Sequence, residues 1–143
     1  MNNSIEKLLA RSKYMALATV GKDGRPWNVP LTFAYADGYL YWRSQVDTAH
    51  STNIERNAAV AISIFDVDPV DDTHERQALY IQSTASKVSP NRQKELLEKF
   101  GGMFSIKDAQ APLYVAAVGI LEDTRSTDNR FYTTDTEIVG ETQ

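Results

Sequence analysis

The dipeptide Asp37-Gly38 constrains the folding of this chain more than any other feature. It separates Tyr35-Ala36 from Tyr39-Leu40-Tyr41-Trp42, two segments rich in aromatic residues. Asp-Gly favours a two-residue turn with positive φ at both positions, and that turn twists in the sense the flanking strands require. A β-hairpin is therefore predicted here. Other strand-length segments surround it. Tyr14 to Val20 is mostly apolar and ends in Gly21-Lys22-Asp23-Gly24. Pro26 to Ala36 reads as one strand, with Pro30 predicting a bulge or a local edge. Ala59 to Phe65 reads as a buried strand, and Ala78 to Val88 as a long one. Leu113 to about Thr124 reads as a further strand, and Arg130 to Thr133 as a short last one.

Helices punctuate this series. Asn3 with Glu6 reads as a capping box before Ile5, Leu8 and Leu9, predicting a helix over residues 4–12. A second helix is predicted from Asp47 to about Arg56. A third starts at Ser89-Pro90, turns Leu96, Leu97 and Phe100 inward, and stops at Gly101-Gly102. Residues 67–76 read as a solvated acidic loop, residues 103–112 as irregular, and the tail after Thr136 as loose. The expected fold is mainly β (α+β): six or seven mostly antiparallel strands in a small barrel, with accessory helices. At 143 residues the chain is expected to form one domain, residues 1–143.

Composition removes several function classes. The net charge of −4 leaves no basic excess to displace counterions, so nucleic acid is not an expected partner. There is no cysteine and only His50 and His74 are available, so no metal site is expected. The polar N-terminus and the lack of a long apolar run point to a cytoplasmic protein without a membrane partner.

The candidate site is Trp42-Arg43-Ser44 followed by Asp47-Thr48-Ala49-His50-Ser51-Thr52-Asn53-Ile54. A helix start presents unpaired N–H groups and a partial positive charge. An Arg, several hydroxyls and an imidazole at the same place make an anion pocket, most simply for a phosphate. No glycine-rich dinucleotide motif or phosphate-loop lysine competes with it.

From about Met15 to Phe65 the sequence resembles the pyridoxamine 5′-phosphate oxidase-like family of FMN-binding split barrels. The resemblance rests on Ala16-Leu17-Ala18-Thr19-Val20, then Gly24-Arg25-Pro26-Trp27-Asn28-Val29-Pro30-Leu31, then Trp42-Arg43-Ser44. Thr48, His50, Asn53 and Ile54 complete it at the family's helix-start positions. The resemblance implies a split β-barrel, a homodimer and FMN at the subunit interface. It implies that Arg43 and Ser44 contact the flavin phosphate, with donors added by Thr48, His50 and Ser51. It further implies that Asn28, Val29, Pro30 and Leu31 line the isoalloxazine, with Trp42 and Asn53 in the same cofactor-binding set.

Two departures shape the functional expectation. The family's helix-start Lys is His50 here, and a phosphate neighbour would raise the imidazole pKa and make it cationic when FMN is bound. True pyridoxamine phosphate oxidases carry a C-terminal Arg-x-His element, and this chain has no His after His74. The implied activity is an FMN-dependent oxidoreductase acting on an unidentified small molecule, and not the namesake reaction. The alternative is a non-catalytic flavin or tetrapyrrole binding protein in stress response or sensing. No catalytic residue emerges: Asp66 and Asp68 have no basic or histidine partner nearby in sequence, and Gln77 and Gln82 lie on or beside a strand of uncertain register.

Overall fold

The computed structural model describes residues 3–66, 76–100 and 111–134. The elements run α1 (Asn3–Arg11), β1 (Tyr14–Val20), β2 (Pro26–Thr32), β3 (Ala34–Ala36), β4 (Tyr39–Arg43) and α2 (Ala49–Arg56). Then come β5 (Ala59–Phe65), β6 (Ala78–Lys87), α3 (Pro90–Phe100), β7 (Leu113–Ala117), β8 (Ile120–Leu121) and β9 (Arg130–Thr134). The strands form a 9-stranded sheet ordered β2-β1-β5-β6-β7-β4-β3, with β9 on β6 and β8 on β9. All pairings are antiparallel except β6 with β9. The two ends of the order, β2 and β3, are joined only by Phe33, so the sheet curls into a half-barrel.

The Asp37-Gly38 turn forms as expected, with φ of 52° and 89°. Alternation then sorts each strand into an inner and an outer face. Met15, Leu17, Val60, Ile62, Ile64, Leu79 and Ile81 fill the interior, together with Ile5, Leu8 and Leu9 from the apolar stripe of α1. A second cluster of Ala34, Tyr41, Val88, Leu113 and Val115 receives Leu96, Leu97 and Phe100 of α3. The rings of Tyr41 and Phe100 lie 6.2 Å apart.

Several boundaries differ from the sequence expectation. The single strand expected over residues 26–36 divides at Phe33 into β2 and β3, where the chain passes from one end of the sheet to the other. The strand expected over 113–124 breaks after Ala117, because Gly119 has a φ of 88° that an extended strand does not adopt. These divisions raise the expected six or seven strands to the observed 9. Asn3 lies inside α1 instead of capping it. Residues 67–75 of the acidic loop, with Asp68 and His74, residues 103–110 of the irregular segment and the tail lie outside the described residues. No helix among the described residues is long and apolar enough to cross a membrane.

Asp66 has a basic partner after all, one 55 residues away. Arg11 Nε and Nη2 donate to its carboxylate at 2.8 and 3.0 Å, and Nη2 also donates to Gln77 Oε1 at 2.9 Å. The backbone N–H of Gln77 donates to the same carboxylate at 2.9 Å. The Asp66 side chain is 7% exposed, and its hydrogen bond to Arg11, with its charge, raises the Arg11 pKa. This group ties the end of α1 to the facing ends of β5 and β6. Replacing Asp66 with Asn removes the ion pair while keeping the shape. Urea unfolding of Asp66→Asn is expected to show a loss of about 1–3 kcal/mol.

Candidate functional site

Four of the candidate residues meet at the start of α2. Thr48 is the N-cap, in extended conformation, and its side chain accepts from the Ser51 N–H at 3.2 Å. Thr48 Oγ1 also donates to Ser51 Oγ at 2.8 Å. His50 Nε2 lies 2.7 Å from Ser44 Oγ and 3.3 Å from Thr48 Oγ1. Ser44, His50 and Ser51 are all buried, although every one is polar. The helix begins at Ala49 with Thr48 capping, two residues beyond the Asp47 start expected from sequence. Thr is a strong N-cap because its hydroxyl replaces a missing intrahelical acceptor.

Neighbouring residues fix this cluster in place. Ser44 N–H donates to the Pro112 carbonyl at 3.2 Å, and Arg43 Nε donates to the Ala111 carbonyl at 2.9 Å. Asn53 Nδ2 donates to Thr19 Oγ1 of β1 at 3.0 Å, while Arg56 donates to Asn53 Oδ1 at 2.9 Å. Asn53 thus clips α2 to the barrel wall. Trp42 is fully buried, stacked on Tyr114 with centroids 6.1 Å apart. Its ring belongs to the core.

The β2 candidates divide between two surfaces. Val29 and Leu31 turn toward the interior core. Asn28 and Pro30 pair with Ala18 and Ala16 on the outer face. There Asn28 borders a trough of about 270 Å³, floored by Ala16, Ala18, Ala61 and Ser63. Its far wall is Tyr80 and Tyr132, stacked at 5.0 Å, with Arg125 lying 4.2 Å over the Tyr132 ring. Tyr80, Tyr132 and Arg125 were not singled out from sequence. The parallel β6–β9 pairing brings them together across some fifty residues, and no local signal announces it.

The sequence profile of the pyridoxamine 5′-phosphate oxidase family matches residues 1–124. The chain belongs to that family. A comparison with curated proteins finds no match. Among solved structures it is similar to the heme storage protein HutZ from Vibrio cholerae, at 22% identity and a TM-score of 0.61, covering 82% of this chain and 89% of that one. It is also similar to an FAD-binding protein from Mesorhizobium loti, at 18% identity and a TM-score of 0.63, covering 84% and 91%. An F420 reductase aligns at 23% identity and a TM-score of 0.64, covering 84% and 97%. These likenesses establish the split-barrel fold of the family.

Within this family member, His50 stands where the resemblance expects a Lys. Burial pushes its imidazole below the ordinary histidine value, so the neutral form is favoured in the folded chain. The unfolded chain takes up the proton near pH ~6.5, whereas the folded protein resists until lower pH. Between those limits the unfolded state binds more protons, so stability falls as pH drops. Melting temperature is therefore expected to decline below about pH 6.5, and His50→Gln is expected to lack that part of the decline.

Proposed function

We propose that this chain is a single-domain FMN-binding protein over residues 1–143, active as a homodimer and acting as an oxidoreductase on a small molecule. The observation that carries the reading is the buried cluster of Ser44, Thr48, His50 and Ser51 at the start of α2. Its donor set fits a phosphate: three hydroxyls, an imidazole and the first N–H groups of a helix, with Arg43 adjoining in sequence. Arg43, Ser44, Thr48, His50 and Ser51 would hold the phosphate, with Asn53 keeping α2 in position.

The ring would lie along β2. Among the described residues β2 pairs with β1 alone, so its other edge offers backbone donors and acceptors. Asn28, Val29, Pro30 and Leu31 supply that edge. α2 also packs against both β1 and β2, which brings the phosphate cluster and the ring-binding strand into one neighbourhood. A bound flavin supplies electron transfer, and the protein supplies orientation and electrostatics. The outer face suits a second copy of the chain. Tyr14, Phe65 and Tyr80 are large and exposed there, and the alanine floor between them permits close approach.

A second reading is a non-catalytic carrier of flavin or tetrapyrrole. It is favoured by the stretch Arg125-Ser126-Thr127-Asp128-Asn129-Arg130-Phe131, which does not supply the Arg-x-His element that the resemblance implies for true pyridoxamine phosphate oxidases. The solved relatives include a heme storage protein as well as a reductase, and both uses occur on this fold.

Adding FMN to the purified protein is expected to perturb the flavin visible spectrum saturably. Anaerobic NADPH then separates the readings: bleaching of the bound flavin indicates an oxidoreductase, and a spectrum silent to nicotinamide donors indicates a carrier. Arg43→Ala is expected to weaken FMN about tenfold or more, the scale of one charge-assisted phosphate contact. Full-strength binding by that variant would refute the phosphate pocket. Because His50 is neutral before the dianion arrives and cationic beside it, FMN affinity is expected to fall as pH rises. His50→Ala is expected to flatten that profile, and a sloped profile in both proteins would remove His50 from the site.

A further inference from the structure

A second cavity, of about 560 Å³, opens between α2 and the adjoining ends of β6 and β7. Its walls include Ser51, Ile54 and Glu55 of α2, Ala85 and Lys87 of β6, and Tyr114 of β7. Lys87 pairs with Tyr114, and Tyr114 with Trp42, so these residues form one row across three strands. Ala85 lies two residues from Lys87 and shares its face, the one turned to the interior core. The cavity is therefore the mouth of the barrel, beside the helix. Barrel mouths are a common place for small ligands, and this volume lies within the range of drug-sized sites.

The polar groups in this mouth are unusual. Tyr114 is 4% exposed and stacked on Trp42, yet its hydroxyl has no hydrogen-bond partner among the described residues. The one buried side-chain polar atom left without a partner among the described residues is the neighbouring Trp42 Nε1; the Tyr114 hydroxyl is not itself a buried orphan and borders the cavity. Lys87 and Glu55 both line the cavity, and neither forms an ion pair among the described residues. The rest of the wall is mainly apolar, with Ile54 and Ala85 buried behind it.

We propose that this mouth binds a small monocarboxylate with an apolar body. Its carboxylate meets the Lys87 ammonium and the Tyr114 hydroxyl, and its body lies on Ile54 and Ala85. Lys87 selects an anion over a neutral analogue. Glu55 places a negative charge on the same wall and disfavours a second ligand charge, which separates this site from the phosphate cluster at the start of α2. The ligand is distinct from a flavin and the site goes beyond the reading above. It borders the same helix through Ser51.

The test uses the 143-residue chain and 3-phenylpropionate as probe, followed by Trp fluorescence and by amide shifts in a nitrogen–proton correlation spectrum. Saturable binding that moves the Lys87 and Tyr114 amides is expected, with 3-phenylpropanol weaker by about tenfold. Lys87→Met and Tyr114→Phe are each expected to weaken phenylpropionate about tenfold, with melting temperatures confirming that both fold. Glu55→Gln is expected to tighten it. Equal affinity for acid and alcohol would overturn the proposal, as would wild-type affinity in both weakening variants. Shifts confined to the outer trough around Ala16 and Ala61, or no binding at all, would overturn it as well.

Discussion

Helix α2 is held to the barrel by polar pairs more than by apolar burial. Its buried residues are His50, Ser51, Asn53 and Ile54, and only the last is apolar. Such a helix gains little from the hydrophobic effect and keeps its place because its buried donors and acceptors meet partners. His50 meets Ser44, Ser51 meets Thr48, and Asn53 meets Thr19. The asymmetry of hydrogen-bond energetics makes this arrangement decisive: each pair contributes modestly, but a buried group left alone costs about 1–3 kcal/mol. A helix of 8 residues is also too short to persist without such contacts. The position of the hydroxyl–imidazole cluster and the shape of the barrel mouth therefore both follow from one set of side-chain hydrogen bonds.

The sheet divides labour by parity. Odd positions of β1 and even positions of β5 face inward and make the core, while their neighbours make an outer face floored by small residues. A period of two means that consecutive strand residues cannot present their side chains to one ligand. Asn28 and Pro30 therefore belong to the outer face and Val29 and Leu31 to the inner one. What the four share is the backbone edge of β2 that no other strand pairs among the described residues. On the flavin reading, contact with a planar ring along this strand is a matter of peptide groups first and side chains second.

The parts of the fold that were legible in sequence are those set by short-range chemistry. Asp37-Gly38 specified its turn because the dipeptide alone favours positive φ, and α2 was legible because cap, hydroxyls and imidazole fall within ten residues. The sequence did not reveal where β2 ends, since Phe33 is an ordinary strand residue and only the closing of the barrel divides the segment there. The break at Gly119 depends on one backbone angle. The Arg11–Asp66–Gln77 group and the Tyr80–Tyr132–Arg125 stack join residues far apart in the chain, and nothing local marks either. Candidate-site residues on α2 were thus readable as a group, while Asn53's partner on β1 and the row from Lys87 to Trp42 required the sheet order.

A histidine at position 50 suits the same burial better than the Lys that the resemblance implies. A lysine there would carry its charge into a buried site where the facing groups are hydroxyls, with no carboxylate bonded to it among the described residues. Histidine avoids that cost by remaining neutral in the empty protein, the direction in which burial already pushes it. On the flavin reading the charge then appears only with the ligand, by proton uptake from solvent. Affinity is lower than a permanent cation would give, but the empty helix start is more stable. A residue that looks like a weakened phosphate ligand in sequence is thus the one compatible with a helix whose buried face is made of hydroxyls and amides.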